Sequence, residues 1–248
     1  MTRNVEMLVR AAKALGTLKD EVVFVGGAVV DLFITDPAAP RPRFTEDVDV
    51  VVEVTTYGAW AKVGERLRAL GFREDRREGA PLCRWLFEDL VVDVMPALER
   101  VLGFTNRWYR QAKKQSEERE LPGGVRIRAV TAPLFVATKI EAFRSRGCGD
   151  FVASHDLEDI IAVVDGRPEL ADEVKVAPVQ LRRFLASTVG RWLKETAFLA
   201  AVPGHLPGDV ASQARVPVVL DRLRAIAIVA PARRPARGGR RRSSRRRK

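Results

Sequence analysis

Residues 47–52 read Asp-Val-Asp-Val-Val-Val, and this short stretch limits the possible folds of the chain more than any other. On an extended strand, side chains two apart share a face, so Asp47 and Asp49 point one way while Val48 and Val50 point into a core. Carboxylates held side by side against an apolar sheet repel, and keeping both ionised costs several kcal/mol unless a cation neutralises them. A divalent metal is the simplest counter-ion, and hard oxygen donors select Mg²⁺ or Mn²⁺. A third acid, Asp93, stands inside Val91-Val92-Asp93-Val94-Met95, where an unpaired carboxylate is equally costly. If its strand lies beside that of Asp47 and Asp49, the three acids converge as a metal set suited to in-line displacement at phosphorus. Asp93 is then placed to accept the proton of an attacking hydroxyl.

The flanking sequence predicts a sheet around these acids. Val5, Leu8, Val9, Ala12 and Leu15 recur at helical spacing up to Gly16. Val22-Val23-Phe24-Val25 reads as a buried strand closed by Gly26-Gly27, a turn that lets the backbone approach a phosphate and begins a helix over 28–34. The proline-rich segment 36–42 is a loop, 48–54 a strand, and 57–70 a helix stopped by Gly71. Residues 84–87 and 90–95, separated by Glu88-Asp89, read as a β-hairpin, and 125–130 as a further strand. Beyond Pro133 the period becomes helical, with helices expected over 134–145, 155–164, 178–199 and 216–229. The expected organisation is an α/β (α+β) domain with a mixed sheet over 1–131, a helical bundle domain over 132–230, and an Arg-rich tail over 231–248 with no large apolar residue, read as disordered.

Charge narrows the function classes. The chain of 248 residues has a formal net charge of +11, which invites a nucleic-acid reading, yet ten of those charges lie in the tail and the body is balanced. The longest apolar stretches fall far short of the ~18 residues of a membrane span, and the first twenty residues carry charges through a helical pattern rather than a secretory leader. A cytoplasmic protein with no membrane partner is expected. Cys83 and Cys148, 65 apart and outside any CxxC or His-rich setting, argue against a disulfide framework or a zinc site. No Ser-His-Asp spacing supports hydrolase chemistry, and His155 and His205 read as cap or loop residues. The tryptophans read as core, with Trp108-Tyr109 between Arg107 and Arg110 the exception, a candidate for nucleotide or RNA contact.

Gly26-Gly27, Asp47-Val48-Asp49 and Asp93, taken in order, resemble the nucleotidyltransferase superfamily of DNA polymerase beta. More narrowly, Phe24-Val25-Gly26-Gly27, Arg43-x-Thr45-x-Asp47-Val48-Asp49, a helical Lys139 and Asp156-x-x-Asp159 resemble the AbiEii-type nucleotidyltransferases, toxins of type IV toxin–antitoxin systems. The resemblance spans roughly residues 5–200. It implies a polymerase-beta-like domain that transfers a nucleoside monophosphate from an NTP to an acceptor hydroxyl with Mg²⁺. It makes an RNA end such as tRNA a plausible acceptor, with a protein side chain or a small molecule such as an aminoglycoside as the alternatives, and an antitoxin protein a possible partner. It makes Asp47, Asp49 and Asp93 the metal-binding acids, Lys139 a catalytic cation, and Gly26, Gly27, Thr45, Lys139 and Asp156 the nucleotide-contacting positions. Two departures are evident: many members carry Ser where this chain has Gly27, and the proline-rich segment lengthens the gap to Asp47. The alternative expectation is a catalytically silent nucleotide- or RNA-binding module on the same scaffold.

Overall fold

A computed structural model describes residues 1–103, 105–146 and 149–229; Cys148 and the tail 231–248 lie outside the described residues. Seven strands build one mixed sheet: β1 Val22–Val25, β2 Asp47–Val52, β3 Arg73–Glu74, β4 Arg84–Phe87, β5 Leu90–Pro96, β6 Glu117–Leu121 and β7 Val125–Ala129, in the order β3-β4-β5-β2-β1-β7-β6. β2 is central because Val48, Val50 and Val51 are buried and β-branched, suited to a pleated surface covered on both sides. It pairs antiparallel with β1 and parallel with β5, in a register that sets Asp49 beside Val25 on one side and beside Asp93 on the other. The β4–β5 hairpin turns through Glu88-Asp89, with Glu88 at φ 53°, the positive value a two-residue hairpin turn demands.

Four helices accompany the sheet: α1 Arg3–Ala14, α2 Tyr57–Ala69, α3 Glu99–Leu102 and α4 Tyr109–Lys114. Thr2 caps α1 and Thr56 caps α2, each hydroxyl accepting an otherwise orphaned backbone N–H. After Gly26 the chain forms a 3-10 helix, Gly27–Leu32, in place of the α-helix expected over 28–34. The remainder is helical: α5 Ala132–Arg146, α6 His155–Gly166, α7 Leu170–Val176, α8 Val179–Trp192, α9 Thr196–Ala201, α10 Val210–Gln213 and α11 Val216–Ala227. The fold is thus a mixed α/β sheet followed by a helical region, and one continuous cluster of buried apolar side chains runs from Met7 to Val229 through both.

The helical region differs from the four helices expected. The stretch 178–199 breaks after Trp192 because Trp192 and Phe198 stack with ring centroids 5.4 Å apart and both pack on Phe151. Six residues at about 100° each would set them about 120° apart around an unbroken helix, too far to stack. β6 escapes the sequence pattern because Glu117-Glu118-Arg119-Glu120 carries no apolar alternation. It is an edge strand on β7, where charge blunts the exposed ladder.

The proline-rich segment is tethered to α6 at its start. Thr35 and Asp36 N–H both donate to the Gly166 carbonyl, at 2.8 and 3.0 Å. Arg215 then bridges Asp36 (2.7 Å) and buried Asp165 (2.8 Å), with Arg222 adding a contact to Asp36 at 3.1 Å. These guanidinium groups, Arg215 first, lower the Asp36 carboxyl to about 2. Burial pushes Asp165 the other way. We expect Arg215→Ala to lower the free energy of unfolding by about 3 kcal/mol at neutral pH, because it strands a buried carboxylate. Asp36 titrates lower in the folded chain than unfolded, so its stabilisation is complete at neutral pH and fades as the pH falls towards 2. Urea titrations of both proteins should show a deficit that is largest at neutral pH and shrinks in acid.

Candidate active site

The sheet end formed by β2, β4 and β5 faces α5 and α6 across a cavity of about 860 Å³, a size ordinary for a small-molecule site. Gly27, Thr45, Asp47, Asp49, Asp93, Lys139 and Asp156 all line it, while Gly26 lies against Asp49 just behind. The structure therefore gathers in one place the residues that the sequence scatters over 130 positions.

The turn after β1 is glycine for two separate reasons. Gly26 takes φ 70°, ψ −167°, and a Cβ there would fall 1.8 Å from Asp49 Oδ2, so the backbone occupies the space beside the carboxylate. A Cβ on Gly27 would lie 3.2 Å from Thr45 Cβ and Oγ1, a tight contact that the Thr45 side chain would have to ease by a few tenths of an ångström. The Thr45 hydroxyl donates to Asp47 Oδ1 at 3.1 Å.

Cations from three segments neutralise the acids. Arg84, on β4 directly opposite Asp93, donates from Nε to Asp93 Oδ1 and from Nη2 to Asp93 Oδ2, both at 2.8 Å, and from Nη2 to Asp47 Oδ2 at 3.0 Å. The hydrogen bonds to Asp93 raise the Arg84 pKa further, so it remains a cation at any working pH. Lys139 lies 2.7 Å from Asp159 Oδ2 and 3.2 Å from Asp156 Oδ1. Burial pulls its ammonium down, but Asp159, Asp156 and the more distant Asp49 outweigh that and raise it. Arg43 donates from Nε to Asp159 Oδ1 at 3.0 Å and lies 3.6 Å from Glu158. Lys139 thus serves as the buried counter-ion between α5 and α6, and it lines the cavity.

Residues outside the expected set complete the cavity. Asn4 on α1 is buried and donates to Asp31 at 2.6 Å and to the Arg43 carbonyl at 3.0 Å, while its Oδ1 accepts from Thr45 N at 3.1 Å, fixing the chain as it enters β2. A polar residue on the apolar face of α1, one turn before Leu8, was its sequence signal. Glu46 and Glu158 add two further carboxylates, so six acids (Glu46, Asp47, Asp49, Asp93, Asp156, Glu158) face three cations (Arg43, Arg84, Lys139). His155 stands at the rim with its Nδ1 3.0 Å from Glu158. Cys83 is no nucleophile: burial first, then Asp93 and Asp49, push its thiol up to about 12. Trp108 is buried against Phe184 and the Tyr109 hydroxyl donates to Met95 Sδ at 3.1 Å, so this pair belongs to the core.

The donor chemistry suits a hard divalent cation. Among the described residues no group of three or more His, Cys, Asp or Glu is arranged to hold a metal ion, but Mg²⁺ usually takes one or two protein carboxylates and completes its shell with water and substrate phosphates. Asp47 and Asp49, on one face of β2 and bordering the cavity, fit that requirement.

No family model matches this chain, and no curated protein matches it. Among solved structures, a "putative nucleotidyltransferase" from H. pylori is similar at 15% identity and a TM-score of 0.44, with 92% of this chain and 96% of that one covered. JHP933 from Helicobacter pylori is similar at 14% identity and a TM-score of 0.41, with 92% and 93% covered. At these scores the likenesses carry no argument about chemistry, which rests on the residues above.

The close approach of Gly26 to Asp49 is testable. Gly26→Ala should cost at least about 2 kcal/mol, from positive φ together with the clash. Asp49→Gly removes every atom that clashes with the new methyl group. The double variant should therefore be more stable than the sum of the single effects by over about 1 kcal/mol in denaturant titrations.

Proposed function

We propose that this protein is a Mg²⁺-dependent nucleotidyltransferase that moves a nucleoside monophosphate from an NTP to an acceptor hydroxyl. The carrying observation is the β2–β5 register, which sets Asp49 beside Asp93 with Asp47 on the same face, all opening on one cavity bordered by the Gly26-Gly27 turn. The charge balance supports the same reading. With three more carboxylates than cationic side chains on its wall, the cavity repels a bare triphosphate. Each like-charge pair at 4 Å costs about 1 kcal/mol in water and about 4 kcal/mol at an effective dielectric of 20.

Asp47 and Asp49 would hold the cation, and Mg²⁺ bound there supplies positive charge to the triphosphate. Thr45 orients Asp47 through its hydroxyl. Asp93 is the base for the acceptor hydroxyl, and the Gly26-Gly27 turn lets the backbone approach the phosphates. Lys139, held by Asp156 and Asp159, keeps α6 against the cavity and can exchange a carboxylate for a phosphate oxygen. An RNA end such as tRNA as acceptor, a toxin role and an antitoxin partner follow from the AbiEii resemblance alone.

One observation favours a second reading, a silent nucleotide-binding module: Arg84 occupies both oxygens of the proposed base. Incubation with labelled NTPs, Mg²⁺ and total RNA separates the two. Transfer of label with release of pyrophosphate is expected, reduced at least about a hundredfold by Asp49→Ala. Tight NTP binding with no release of pyrophosphate would replace the enzyme by the silent module, and equal transfer by Asp49→Ala would remove Asp49 from the site.

A further inference from the structure

Arg84 touches two of the three clustered acids, and neither the proposed transfer nor the resemblance assigns it a task. Its guanidinium satisfies both oxygens of Asp93 and one of Asp47, while Thr45 satisfies the other Asp47 oxygen. The fork lies in the cavity wall, with Arg84 about one-quarter exposed and Asp93 nearly buried. A divalent cation held by Asp47 therefore lies within a few ångströms of this fixed positive charge, whether it shares Oδ2 with Arg84 or takes Oδ1 from the Thr45 hydroxyl, and like charges that close repel strongly in a partly buried site.

We propose that Arg84 is the resident counter-ion of this site, a positioning residue that, anchored on Asp93, competes with a divalent cation for Asp47 and so sets how tightly the cation binds. The guanidinium holds the clustered carboxylates in place when no cation is bound, and yields part of its hold when one arrives. It is better suited to this than lysine, because its planar fork spans both oxygens of one carboxylate and reaches the next. This deepens the nucleotidyl-transfer reading and rests on it for the identity of Asp47 as a metal ligand.

The test is Mn²⁺ binding to the full chain without nucleotide, followed by calorimetry and by the shift in melting temperature. Arg84→Gln should bind Mn²⁺ at least about tenfold more tightly than the unsubstituted protein, and Mn²⁺ should raise its melting temperature by more. Arg84→Lys, which keeps the charge and loses the fork, should fall between. Equal or weaker Mn²⁺ affinity in Arg84→Gln, or no Mn²⁺ binding by either protein, overturns the proposal. If Arg84→Gln does not stay folded without metal, its recovery on refolding in Mn²⁺ but not in K⁺ of equal ionic strength supports the proposal, and equal failure in both overturns it. The two readings fail separately. Tighter Mn²⁺ binding without label transfer refutes the transferase, whereas label transfer with unchanged Mn²⁺ affinity refutes the role of Arg84.

Discussion

Carboxylates set at the end of an apolar sheet are costly unless cations stand beside them, and much of this molecule is arranged around that need. Arg84 reaches from β4, Lys139 from α5 and Arg43 from the segment before β2, each meeting acids on a different element. Breaking one such pair leaves a charge in low dielectric, which costs more than the intact pair contributes. The ion pairs therefore fix geometry more than they add stability: they hold β4 against β2, α5 against α6, and the chain entering β2 against α6.

The same arrangement ties the helical region to the sheet. The segment between Gly27 and Asp47 is pinned near both ends, at Thr35-Asp36 by the Gly166 carbonyl and Arg215, and at Arg43 by Asp159. Both anchors lie on or beside α6, the helix that also carries Asp156 and Glu158 into the cavity. A change in how α6 packs is thus transmitted to the entry of β2, where Thr45 and Asp47 sit. The single apolar core from Met7 to Val229 makes such a change expensive, since closely packed interiors do not deform gradually.

Much of this was legible locally. The β4–β5 hairpin follows from two apolar runs separated by Glu88-Asp89, and a two-residue turn pairing Phe87 with Leu90 already sets Arg84 opposite Asp93. Asn4 betrays itself as a polar residue on the apolar face of α1. What local pattern misjudged has identifiable causes. β6 is too charged to read as a strand because it is an edge. The break in 178–199 answers an aromatic cluster assembled from Phe151, Trp192 and Phe198, which are distant in sequence. Trp108 and Tyr109 look like a binding pair beside their arginines, yet Trp108 is buried against Phe184 and the half-buried Tyr109 gives its hydroxyl to Met95.

Alternation of acids and valines by itself determined that Asp47 and Asp49 share one face of a buried strand, because the side-chain period of a strand is two whatever surrounds it. The strand endings, the glycine turn and the change to helical periodicity after Pro133 are likewise local properties of the chain. Only the tertiary structure decided that β5 lies parallel to β2 with Asp93 level with Asp49, since strand order and register depend on long-range packing that no short segment encodes. It also decided which cation neutralises which acid. Arg84 meets Asp93 within its own hairpin, but its reach to Asp47 and the pairing of Lys139 and Arg43 with Asp159 arise only when the sheet end closes against α5 and α6.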